Sequence, residues 1–419
     1  MKKTNQFLLA CVASTLLAHS ALADIRTTNP KRVGMSEARL ERIEPAMQAF
    51  VDEQKLAGTL TLVARKGKVV HLEGVGFRDR EAKTPMTEDT IFRIYSMTKP
   101  ITAVAALTLW EQGKFQMNDP VSKYLPELAN LKVFAGMDGE KMILEDTNKV
   151  MTIKQLFTHS AGFSYGFSQS PVDKLYQQSA LFSGDTKRED LLKEVAKLPL
   201  NHQPGTKWNY SIGTDIIGVL VERLSGQTLG EYFEQHIFKP LKMSDTGFYV
   251  PKSKQDRLAQ IYVINQQGQT VPMENEPLGD YLSAPEIESG GGGLVSTIED
   301  YYTFTQMLLN GGEYKGERIL GRKTVEYMRT NHLPADLIPF EPSSTGEGYG
   351  LAMSVTVDEQ GANTMGSKGD YGWAGAASTY FRIDPEEQMI VIAMTQLMPS
   401  SFFSYNKDFK NMAYQALVD

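Results

Sequence analysis

The 419-residue chain has one cysteine, Cys11, and only 6 histidines. With no thiol beyond the N-terminal stretch, the body of the chain can hold no disulfide framework, no cysteine-bound zinc and no thiol nucleophile. His71, His159, His202, His236 and His332 show no ligand spacing, so no metal is expected. Positive charge is also short: 43 Lys+Arg stand against 50 Asp+Glu, a formal charge of −7. Nucleic acid is therefore not expected as a partner, because phosphate binding needs a basic surface. No long apolar run follows the N-terminal stretch, so no membrane span is expected. The glycine run after Ser289 lacks the Gly-Lys-Ser/Thr ending of a phosphate loop. No internal repeat of solenoid period is visible. What remains, with 41% hydrophobic and 10% aromatic residues, is a chain with ample material for large cores and more than one domain.

The first 23 residues read as an address. Lys2 and Lys3 precede a short apolar stretch from Phe7 to Ala18, and Ala21-Leu22-Ala23 offers small residues for cleavage after Ala23. A buried N-terminal helix is the weaker reading. The competing lipoprotein box at Leu8-Leu9-Ala10-Cys11 has too short an apolar run before it. Export to the periplasm or the medium is the expectation.

Hydrophobic periodicity organises the remainder. Leu40, Ile43, Met47, Phe50 and Val51 recur at helical spacing after Ser36, with Pro45 inside the pattern. Residues 59–64 and 69–72 are β-type runs joined through Lys66-Gly67-Lys68, a hairpin signal. Near the other end, residues 379–383 and 389–395 flank an Asp384-Pro385 turn, and Phe409, Met412, Ala413, Ala416 and Leu417 predict a closing amphipathic helix. Between about 118 and 288 helical segments alternate with polar loops. Among them are a helix over 152–159 and another over 213–224, capped by Gly226. The expected organisation is a signal segment over 1–23, an α/β domain from 24–117 and 289–419, and a mostly helical domain over 118–288.

Two serine patterns compete for chemistry. Ser-x-x-Lys puts both side chains on one helix face, one turn apart, where lysine can take the serine proton. It occurs at Ser96/Lys99 and at Ser404/Lys407. Ser96 follows the strand-like run Ile91-Phe92-Arg93-Ile94 and opens a segment, Ile101 to Trp110, that is apolar around most of its circumference. A lysine at the first turn of a buried helix is costly unless it is paired or working. Ser404/Lys407 lies in a polar, aromatic tail with no such context. The rival pattern is Gly162-Phe163-Ser164-Tyr165-Gly166, formally a nucleophile elbow. An elbow needs a strand before it and a histidine downstream of an acid. Here the preceding segment reads as helix and the last histidine is His332, so a glycine-rich turn is the better reading.

With Ser96-Met97-Thr98-Lys99 as a first motif, Trp208-Asn209-Tyr210-Ser211 and Tyr371-Gly372-Trp373-Ala374-Gly375-Ala376 follow in order. The chain resembles the serine β-lactamase and penicillin-binding-protein superfamily, and within it class C β-lactamases and family VIII carboxylesterases. The resemblance spans roughly Met35 to Leu397. It implies an α/β, multi-domain, β-lactamase/transpeptidase-like fold: an antiparallel sheet flanked by helices, plus a mostly helical domain. It implies Ser96 as acylated nucleophile, Lys99 as its proton partner, Tyr210 as general base, and the amides of Ser96 and Ala376 as oxyanion hole. Trp373, Gly375 and Ile212 would border the substrate. No cofactor is implied, and the partner would be a small ester or amide. Two departures set the sub-class: Ile212 occupies the asparagine position of the tyrosine motif, and Trp373 the lysine position of the third. Losing both favours a carboxylesterase of short acyl esters. The alternatives are a β-lactamase or D-alanyl-D-alanine carboxypeptidase, and, outside enzymes, a non-catalytic peptidoglycan-binding relative.

Overall fold

The structure, a computed structural model, describes residues 25–181, 186–274, 276, 279–341 and 344–419. The stretch read as an export signal, with Cys11, lies outside the described residues. At the centre is an eight-stranded antiparallel sheet. Its strands are β1 (Gly58–Arg65), β2 (Lys68–Asp79), β3 (Thr84–Pro85), β4 (Glu347–Tyr349), β5 (Ser354–Thr356), β6 (Tyr371–Ala374), β7 (Tyr380–Asp384) and β8 (Met389–Met394). Their spatial order is β4-β5-β6-β7-β8-β1-β2-β3, so pairing of β1 with β8, Leu62 opposite Ile392, joins the two chain ends.

Five helices complete the frame: α1 (Ile43–Asp52), α2 (Thr98–Glu111), α3 (Gly213–Ser225), α4 (Ile298–Leu309) and α5 (Tyr405–Tyr414). Side chains alternate across the sheet. Leu60, Leu62 and Ala64 of β1, with Ile390, Ile392 and Met394 of β8, share one core with α2 and α4. Val63, with Met389, Val391 and Ala393, shares the opposite core with α1 and α5. Helices cover both faces, which is why the central strands read as continuous apolar runs despite their period of two. The architecture is thus α/β with an antiparallel sheet between helical layers, and α2 packs further on α3.

Several elements differ locally from expectation. The helical pattern after Ser36 splits into Glu37–Leu40 and α1, and Pro45 falls in the first turn of α1, where a missing N–H costs nothing. Strand β2 runs on to Asp79, because Val75 and Gly76 still pair with Thr59 and Gly58. The closing helix begins earlier than expected, at an N-cap formed by Ser404, whose hydroxyl donates to Asp408 Oδ2 at 2.6 Å. The second Ser-x-x-Lys pair is therefore the exposed start of a surface helix. The middle of the chain contains an extended hairpin, Lys132–Asp138 with Lys141–Asp146, turned at Gly139-Glu140. A second pair, Tyr262–Ile264 with Thr270–Pro272, is joined in parallel by Leu397–Met398. Gly226 ends α3 in the left-handed conformation, with φ of 74°.

Candidate active site

The short strand Phe92–Arg93 pairs with Val295–Ser296, and the Ile94 amide donates to the Leu294 carbonyl at 3.0 Å. The chain then turns sharply. Tyr95 takes φ of +41°, a region costing a non-glycine residue about 1–3 kcal/mol, and a 3-10 turn over Tyr95–Met97 leads into α2. The turn leaves Ser96 partly exposed among buried neighbours. Lys99, in the first turn of α2, is 1% exposed. Its Nζ donates to the Gly291 carbonyl at 2.6 Å and to Ser96 Oγ at 3.3 Å, and lies 4.6 Å and 4.9 Å from the ring centroids of Tyr210 and Tyr165. Burying such a charge costs several kcal/mol unless it is compensated. A carbonyl dipole and two ring faces do so here, at about 1.5–3 kcal/mol for the charged hydrogen bond and about 2 for a desolvated ring contact.

Tyr210 stands on the segment entering α3, 114 positions along the chain from Ser96, and its hydroxyl donates to Ser96 Oγ at 2.7 Å. The same phenol oxygen accepts a hydrogen bond from Trp373 Nε1 at 3.2 Å. His159 packs 4.7 Å from the Tyr210 ring, but its Nδ1 accepts from the Ser211 amide at 3.3 Å. Burial, with the Lys99 charge adding to it, holds the His159 pKa well below the usual histidine range, so this ring stays neutral.

The elbow reading of Ser164 fails on geometry. Ser164 is buried, its hydroxyl donates to Asp173 Oδ1 at 2.5 Å, and it accepts the Gly166 amide at 3.0 Å. It anchors a loop.

A charge cradle below Lys99 was not anticipated from the sequence. Asp215 Oδ1 accepts from Ser289 Oγ at 2.5 Å and from the Gly291 amide at 3.0 Å, and Oδ2 accepts from Tyr165 at 2.7 Å. This fixes the loop whose Gly291 carbonyl receives the Lys99 ammonium. A Cβ on Gly291 would lie 2.2 Å from Tyr165 Oη and 2.3 Å from Asp215 Oδ2, so any larger residue would push apart the Tyr165–Asp215 hydrogen bond. Burial first, then Asp215, pushes the Tyr165 phenol well above its usual range and keeps it a donor. The one signal in the sequence was an aspartate among apolar residues at the start of a helix.

The third motif meets the first through Gly375. A Cβ there would lie 2.5 Å from the Ile94 carbonyl and 2.2 Å from Thr379 Oγ1, so the turn after β6 seats directly against the strand leading to Ser96. Ala376 follows in that turn, packed beside Tyr95 and Ala377. Ile212 is the N-cap residue of α3 and its side chain is buried in the main core. Trp373 packs 5.7 Å from Tyr210, and Trp208 lies 6.0 Å from it on another side. Among the described residues no group of His, Cys, Asp or Glu is placed to hold a metal ion, and no helix is long and apolar enough to cross a membrane.

Fold and site together define a serine hydrolase. Residues 43–414 match the Beta-lactamase family, and the chain belongs to it. It is 33% identical over 369 residues to Protein Rv1367c of Mycobacterium tuberculosis strain H37Rv, covering 86% of this chain and 90% of that one. To Esterase EstB of Burkholderia gladioli it is 27% identical, over 84% and 89% of the two chains. Among solved structures, EstCE1, a hydrolase with promiscuous acyltransferase activity, superposes with a TM-score of 0.77 at 27% identity, covering 90% of this chain and 99% of that one.

Proposed function

We propose that this serine hydrolase is a carboxylesterase of short acyl esters, working through an acyl-enzyme on Ser96. The observation that carries the reading is the 2.7 Å hydrogen bond from Tyr210 to Ser96 Oγ. As Ser96 Oγ attacks the ester carbonyl, its proton passes to the Tyr210–Lys99 pair, and Tyr210 delivers one proton to the departing alcohol oxygen. Lys99, with Nζ 3.3 Å from Ser96 Oγ, shares the serine proton with Tyr210. The amides of Ser96 and Ala376 receive the developing oxyanion, each such donor being worth about 3–4 kcal/mol. Water then repeats the sequence on the acyl-enzyme and releases the acid.

The preference for esters over β-lactams rests on Trp373. An indole has one donor and no charge for a substrate carboxylate. That donor is engaged by Tyr210 Oη. Ile212, buried in the core, has no amide to offer either. Export through the segment 1–23 completes the proposal. The test is labelling by a fluorophosphonate followed by peptide mapping, with a parallel panel of p-nitrophenyl butyrate, a chromogenic cephalosporin and a D-Ala-D-Ala peptide. Label on Ser96 and fastest turnover of the ester are expected. Label on Ser164, or faster turnover of the cephalosporin, overturns the nucleophile or the substrate class respectively.

A further inference from the structure

The loop that failed as a nucleophile elbow has an unassigned feature. Phe167 is 77% exposed, the most exposed large aromatic residue described. It is nevertheless held in place. Ser164 ties the loop to Asp173, and Gln177 Nε2 donates to the carbonyls of Gly166 at 2.6 Å and Ser168 at 2.9 Å, on either side of Phe167. The ring stacks on Tyr165 at 5.3 Å and 21°, and lies near-parallel to Tyr210 at 6.2 Å and 29°. A phenyl ring braced beside the proton-carrying tyrosine, with most of its surface left to solvent, buries too little to serve the core. It has the geometry of a binding wall.

The reaction tells which part of an ester meets that wall. In acylation the bond from Ser96 Oγ to the acyl carbon forms and the bond from that carbon to the alcohol oxygen breaks. The proton taken from Ser96 is delivered by Tyr210 to the alcohol oxygen, so the leaving alcohol sits on the Tyr210 side of the nucleophile. We infer that Phe167 is the outer wall of the alcohol subsite and that the preferred substrates are esters of planar aromatic alcohols. This rests on the esterase reading above. Stacked aromatic pairs gain beyond simple burial, and a non-planar alcohol of equal acidity forfeits that gain.

The experiment compares 2-naphthyl butyrate with hexafluoroisopropyl butyrate, which share the acyl group and have alcohols of similar acidity but different shape. The ratio of their kcat/KM values is measured for the wild type, Phe167→Ala and Phe167→Tyr. The ratio is expected to fall about five- to tenfold in Phe167→Ala, mostly through KM, and to hold within about twofold in Phe167→Tyr. A ratio unchanged in Phe167→Ala overturns the inference and leaves the esterase reading standing. If the wild type turns over neither ester while fluorophosphonate still labels Ser96, the esterase reading fails and the inference falls with it.

Discussion

Replacing Tyr210 by phenylalanine separates the chemistry of the site from its packing. The ring contacts survive: the rings of His159 at 4.7 Å, Trp373 at 5.7 Å and Trp208 at 6.0 Å all pack on the Tyr210 ring. Two hydrogen bonds are lost, the donation to Ser96 Oγ at 2.7 Å and the acceptance from Trp373 Nε1 at 3.2 Å. Ordinary hydrogen bonds contribute about 0.5–1.5 kcal/mol each, so the stability loss should not exceed about 1–3 kcal/mol. Partial exposure of Tyr210 puts it towards the lower figure. Removing a general base costs about 100- to 10,000-fold in rate, or roughly 2.7–5.4 kcal/mol of barrier. The expected variant is folded and melts a few degrees lower at most, while kcat/KM for p-nitrophenyl butyrate and the rate of fluorophosphonate labelling fall together by at least 100-fold. A folded Tyr210→Phe that keeps a fifth of wild-type activity would refute the assignment and leave Lys99, 3.3 Å from Ser96 Oγ, as sole proton acceptor.

Other variants probe the surrounding charges. Lys99→Arg should be nearly inactive, because the cradle is built for one ammonium 2.6 Å from the Gly291 carbonyl, and a guanidinium is broader and cannot surrender a proton; retained activity rules out proton acceptance by the lysine. Trp373→Lys should weaken ester turnover and improve capture of β-lactam carboxylates by about ten- to hundredfold, the worth of one charge-assisted hydrogen bond, as read by acylation with a chromogenic cephalosporin. Asp300 supplies a pH prediction. Burial pushes its carboxyl up to about 7, against hydrogen bonds from Thr246 and the Asp245 amide that favour the anion. The folded state therefore holds this proton more tightly than the unfolded chain, whose aspartate titrates near 3.9. The stabilisation is complete below that value and is lost as pH rises towards 7, a change on the order of 4 kcal/mol. Urea melts of the wild type and Asp300→Asn at pH 5, 6, 7 and 8 should diverge up to about pH 7, with the asparagine variant gaining relative stability; parallel profiles would sink the argument.

Local features of the site were legible because local geometry creates them. Ser96 and Lys99 share a helix face by spacing alone, and the buried character of α2 is written in a circumference that is apolar over most of its turn. Hairpin β1–β2, hairpin β7–β8 and the Gly226 cap follow from apolar β-type runs, turn residues and a left-handed stop. The hairpin at 132–146 turns at Gly139-Glu140, a glycine-first pair hidden among charged residues with little apolar alternation. Other features had no local signature. Nothing in the order of residues says that β8 pairs with β1, that Asp215 receives both Tyr165 and the Gly291 amide, or that Phe167 stands beside Tyr210. By itself the sequence determined which residues could carry acyl transfer, because a nucleophile and its neighbouring lysine need only one helical turn. Only the tertiary structure decided how the buried ammonium is compensated and what borders the leaving group. Those contacts join segments far apart in the chain, and the packing of both cores against the sheet, not residue spacing, sets their distances.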